Sequence, residues 1–100
     1  MWADVYIKQL RAGVPVTFRP RGNSMVPLIQ SGQEVTVVPL TQTMELQPKD
    51  IVLCTVGAQQ YLHLIKACAA GRYQIGNNRG RINGWVSREN IHGKLTEIRP

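Results

Sequence analysis

The chain has 100 residues, 43% of them hydrophobic, and carries twelve Lys and Arg against six Asp and Glu for a net charge of +6. That length suits a single domain, and the apolar share excludes a disordered chain. No apolar run reaches the roughly 20 residues needed to cross a bilayer, so no membrane span is expected.

Taken in chain order, Trp2, Tyr6 and Leu10 recur at helical spacing, and Gly13 and Pro15 close the pattern. This predicts one short amphipathic helix over about residues 2–12. Asp4, Lys8 and Arg11 lie within it, so the segment does not read as a signal peptide, and a cytoplasmic setting is expected. The remainder reads as short strands: Val14–Arg19, Glu34–Pro39, Asp50–Val56, Tyr61–Cys68, Tyr73–Ile75, Gly84–Val86 and His92–Ile98. β-Branched residues fill these runs, and Gly, Pro, Asn and Ser punctuate them. The expected fold is mainly β, a small coiled antiparallel sheet or partly open barrel with one short N-terminal helix. One domain covers residues 1–100, with its β-rich core over about 14–98. Open strand edges of such a sheet are compatible with a dimer.

Three sets of residues bear on chemistry. Gly22-Asn23-Ser24-Met25-Val26-Pro27 puts a hydroxyl between a glycine that permits unusual backbone angles and a proline suited to opening a short helix. The strand-like run before it implies a sharp turn at Ser24, which exposes the hydroxyl and gathers backbone N–H groups as acyl transfer requires. As plain structure, the same serine is a helix N-cap. A base must lie within reach of such a nucleophile. His63 sits in Tyr61-Leu62-His63-Leu64-Ile65-Lys66, where alternation puts it on the face opposite Lys66. Histidine titrates near neutrality without help, whereas a lysine base needs burial to lower its pKa.

Cys54 and Cys68 both fall in apolar strand-like runs and read as core thiols. With His63 and His92 they form no metal-binding spacing, so neither a metal nor a cofactor is expected. The basic residues concentrate at Arg19/Arg21 and Arg79/Arg81, which favours acidic partners. With six aromatic residues and no recognisable nucleic-acid module, a nucleic-acid partner rests on charge alone.

The motifs also stand in a telling order. Gly22-Asn23-Ser24-Met25-Val26-Pro27-Leu28 is followed by Ser31-Gly32-Gln33-Glu34-Val35-Thr36-Val37 and by Pro48-Lys49-Asp50-Ile51-Val52. His63 comes next, then Gly76-Asn77-Asn78, then Ile91-His92-Gly93-Lys94-Leu95. The series resembles the signal-peptidase and SOS-repressor clan of serine peptidases. That clan shows Gly-x-Ser-Met-x-Pro, Gly-Asp before a strand, Gly-Asp-Ile-Val, a strand His or Lys, Gly-Asp-Asn and a closing Ile-x-Gly-Lys/Arg strand. The resemblance covers roughly residues 14–98. It implies a coiled β-fold in which Ser24 attacks a peptide carbonyl and His63 takes its proton, as in the endoplasmic-reticulum type. Lys66 is the alternative base, on a strand shifted by three residues. The Ser24 N–H, with the Gly22–Asn23 turn and Met25 beside it, would hold the oxyanion or substrate. The implied substrate is an extended peptide or protein segment with small side chains near the cut, added along a strand edge.

Asn77 and Asn83 stand where the clan has acids that orient the imidazole, and Gln33 replaces another acid. An asparagine carbonyl accepts the imidazole N–H but supplies no negative charge. Two expectations follow: a slow or partner-dependent endopeptidase, or a catalytically degenerate peptide-binding or regulatory module on the same fold.

Overall fold

A computed structural model describes residues 1–100. The helix α1 spans Asp4–Arg11, shorter at both ends than the pattern predicts. At its start, Trp2 and Ala3 are drawn into hydrogen bonds with Gln60 on a distant strand. At its end Gly13 adopts φ +83°, and the Val14 N–H returns to Gln9 O at 2.9 Å. Ile7 and Leu10 form its buried stripe.

Seven strands follow: β1 (Val16–Phe18), β2 (Glu34–Pro39), β3 (Ile51–Val56), β4 (Gln59–Ala69), β5 (Arg72–Gly76), β6 (Ile82–Ser87) and β7 (Ile91–Arg99). All seven expected strands are present, Glu34–Pro39 with the expected bounds and the other six with shifted ones. Val14–Arg19 contracts to three residues, and the Tyr61–Cys68 strand grows to eleven. They form one antiparallel sheet in the order β1-β2-β7-β3-β4-β5-β6, left open between β1 and β6. Neighbours in sequence mostly neighbour in space, except that β7 returns to lie between β2 and β3.

Register shifts at Thr36/Val37, Leu53/Cys54, Ile65/Ala67 and Ile75/Gly76 coil the sheet. Coiling lets both faces bury apolar side chains. One core holds Leu53, Leu62, Leu64, Val35 and Val37 beneath α1. The other holds Val52, Cys54, Ile65, Ile75 and Val86. On β3, consecutive residues Val52, Leu53 and Cys54 are all fully buried because they alternate between the two.

The expectation of two core thiols needs one correction. Cys54 is buried, and desolvation pushes its thiol up to about 12. Cys68 is exposed, because β4 runs past the core into its hairpin with β5. No helix is long and apolar enough to cross a membrane.

Candidate active site

The segment after β1 makes a compact excursion. Its base is closed by Gly32 N–H to Pro20 O at 2.9 Å and by Arg19 Nη1 to Gly32 O at 2.8 Å. Gly22 adopts φ +104°, a region that a side chain strains, and this lets the chain turn before Asn23. Met25 and Ile29 are buried and pin the loop to the core, so the residue between Asn23 and Met25 is pushed outward. Ser24 is accordingly exposed. The short helix expected after it does not form. Residues 24–28 are turns, bridged by Val26 N–H to Asn23 O and Ile29 N–H to Met25 O, and the Val26–Pro27 peptide is cis.

A second loop supports the first. After β5, Asn78 donates its N–H to Ser24 O at 2.9 Å and its Nδ2 to Val26 O at 3.0 Å. The serine turn is thus bolted on one side to the core and on the other to the loop leading into β6. Asn78 is the residue that sequence reasoning missed. A second carboxamide directly after Gly76-Asn77 was the available signal.

His63 lies on β4, opposite Val52 of β3, and is 7% exposed. Tyr61, two residues earlier on the same face, stacks on the imidazole at 4.7 Å and 23°. Asn83 Oδ1 lies 2.7 Å from His63 Nδ1. A carboxamide oxygen only accepts, so Nδ1 carries the proton and Nε2 is the acceptor in the neutral ring. Burial pulls the His63 pKa below the ordinary histidine value; the Asn83 bond opposes this, and the positive charge of Arg81 adds to it. Burial and Arg81 therefore favour the neutral ring.

Ser24 and His63 line one groove of about 500 Å³ together with Gly22, Met25, Arg21 and Tyr61. No hydrogen bond joins the Ser24 hydroxyl to His63 in this state. Of the expected donors, the Gly22 N–H is spent on Ser31 Oγ at 3.1 Å, while the Ser24 N–H has no partner within the chain. Asn23 does not line the groove, and Met25 serves both as wall and as core anchor.

The two asparagines part company. Asn83 meets the imidazole, but the Asn77 Oδ1 accepts the N–H groups of Arg79 at 2.8 Å and Arg81 at 2.9 Å. Asn77 therefore folds the turn that delivers Asn83, and its side-chain oxygen makes no hydrogen bond to His63. Lys66 falls at the β4 bulge, away from the groove, with its stem against Gly76.

No protein-family model matches the chain, and no curated protein matches it.

Proposed function

We propose that the chain is a serine endopeptidase of the signal-peptidase and repressor type, acting on an extended peptide laid in the Ser24–His63 groove. The observation that carries the reading is the imidazole: Asn83 holds Nδ1–H at 2.7 Å, which leaves the basic Nε2 without a partner in the chain on a residue that lines the same groove as Ser24. In this reading the Ser24 Oγ attacks the peptide carbonyl while its proton passes to His63 Nε2. The carbonyl oxygen, now negative, is received by the free Ser24 N–H. Collapse of the tetrahedral adduct breaks the C–N bond, and His63 returns the proton to the leaving amine. A water, deprotonated by the same nitrogen, then hydrolyses the Ser24 ester.

A second reading keeps the groove and drops the chemistry. It is favoured by the missing Ser24–His63 hydrogen bond and by the neutral Asn83, which cannot stabilise an imidazolium as a carboxylate does. In that case the domain binds peptides without cutting them.

Cleavage of a diverse peptide library, read by mass spectrometry, separates the two. Wild type is expected to give products that Ser24→Ala and His63→Ala each reduce by about a thousandfold or more. Ser24 is exposed and its hydroxyl bonds nothing within the chain, so Ser24→Ala should keep its melting temperature. Cleavage at the wild-type rate in either variant removes that residue from the mechanism. Peptide retention without products from wild type establishes the binding module.

A further inference from the structure

The groove has a second end. β5 pairs with β4 only from Leu64 onward, so Gln59–His63 of β4 has no strand neighbour on the side away from β3. Backbone groups alternate along a strand. The Ile65 N–H and carbonyl bond Asp50 and Lys49, on the β3 side, so the odd-numbered β4 residues face β3. Gln60 and Leu62 therefore turn their backbone groups to the open edge, where a peptide strand can add.

At Gln60 that edge is already occupied. Trp2 Nε1 donates to Gln60 O at 3.1 Å, Ala3 N–H donates to Gln60 Oε1 at 2.9 Å, and Gln60 Nε2 donates to Asp4 Oδ1 at 2.6 Å. Ala3 is fully buried, so the indole is anchored there. Trp2 also lies 5.8 Å from Phe18, and Tyr6 stacks on Phe18 at 4.4 Å and 15°. All three rings line the groove, and half of Trp2 remains exposed. Charge completes the picture. The groove carries Arg19 and Arg21 and no carboxylate, and while Arg19 is held by Gly32 O and Glu34, Arg21 forms no ion pair.

We infer that Trp2, Tyr6 and Phe18 form a specificity subsite that ends the peptide ladder at Leu62 and seats one large apolar side chain of an acidic peptide. Gln60 lies three residues from His63, so the seat falls about 10 Å along the peptide from the carbonyl that faces Ser24. Small residues near the cut and a bulky one about three positions away then describe the ligand. The inference rests on the peptide reading of the groove, though not on turnover.

The test uses the full chain as Ser24→Ala, which prevents turnover, and labelled extended peptides read by anisotropy. Each peptide carries Leu or Phe at one scanned position, with Ala there in its counterpart, in acidic and basic versions. At one position the apolar peptide is expected to bind about tenfold tighter than its Ala counterpart. Acidic versions should outbind basic ones, and less so as salt rises. Adding Trp2→Ala should reduce the apolar preference to about twofold or less, while Trp2→Phe, which keeps a ring, should retain most of it. Three results overturn the subsite: no positional preference or no binding, a preference that survives Trp2→Ala, or tighter binding of every peptide by Trp2→Ala, which would make Trp2 a displaceable plug. Positional binding without wild-type cleavage would uphold the subsite and sink the peptidase. Cleavage with no such preference would do the reverse.

Discussion

His63 and His92 are alike in nearly everything a sequence expresses. Each lies on a strand among apolar neighbours, is 7% or 8% exposed, and has its pKa lowered chiefly by burial and further by an arginine. Each also borders a cavity, of about 500 Å³ at His63 and about 400 Å³ at His92. They differ in which nitrogen is engaged. His63 spends Nδ1 on Asn83 and leaves Nε2 without a partner in the chain, whereas His92 Nε2 is bonded to the Thr55 hydroxyl at 2.8 Å. By hydroxyl–imidazole contact alone, Thr55–His92 would be the better catalytic pair. Yet Thr55 sits within β3 rather than on a turn that gathers N–H groups for an oxyanion, and no carboxamide holds His92 Nδ1. What marks the candidate site is an oriented base beside a turn, rather than a ready-made hydrogen bond.

Substitutions at the orienting partners stretch this contrast furthest. Asn83→Asp places a carboxylate 2.7 Å from Nδ1, stabilises the imidazolium and should raise cleavage by about 10²- to 10⁴-fold. It should also move the acid limb of the pH–rate profile upward. In wild type that limb should lie below the ordinary histidine pKa of about 6.5, because only the neutral ring accepts the serine proton. Asn83→Ala frees the ring to rotate and should cost about 10²-fold. Thr55→Val, the matched change at His92, should leave cleavage unaltered. A loss there would mean that the wrong histidine has been assigned.

Glycines beside each half of the comparison give the next largest effect. A Cβ at Gly76 would lie 2.6 Å from Arg81 O, and one at Gly93, next to His92, would lie 2.7 Å from both Val37 Cγ1 and Val38 O. Either Gly→Ala change should destabilise the fold by about 1–3 kcal/mol, at ~4–8 °C of melting temperature per kcal/mol. Their functional consequences should diverge. Gly76→Ala pushes on the Asn77–Arg81 turn that carries Asn78 and Asn83 to the site, so cleavage per folded molecule falls as well. Gly93→Ala strains the scaffold alone and should change stability without changing turnover. Equal loss of turnover in both would show that the two halves are not separable.

The parts of this arrangement that are local in the chain could be read from it. The exposed turn at Ser24 follows from a glycine before it and apolar anchors after it. The opposite faces of His63 and Lys66 follow from strand alternation. What escaped was set by distant partners. Nothing near Ile91 announces that β7 inserts between β2 and β3, since that pairing spans most of the chain. Trp2 reads as one more apolar position of a helix, and only the fold brings Gln60 to its indole N–H. The choice between Asn77 and Asn83 was nearer to hand. Asn-Asn-Arg-Gly is a sequence in which the first side chain closes its own turn, which leaves the later asparagine for the imidazole.

The smallest effect tests what the two histidines share. Both have folded-state pKa values below the ordinary value near 6.5, so the unfolded chain binds protons first as the solution is acidified. Their contribution to stability is therefore full above that value and is lost as pH falls toward their folded pKa values. The melting temperature should decline between about pH 7 and pH 5. Asp4, the carboxylate with a lowered pKa, acts only below the ordinary carboxylate range and does not blur that window. His63→Gln and His92→Gln should each flatten the decline. At His63 the Asn83 bond opposes the downward shift, whereas at His92 burial and Arg11 act in the same direction with nothing against them. A slope carried by His63 alone would mean that water already reaches His92 through its cavity, and the likeness between the two rings would end at their neighbours.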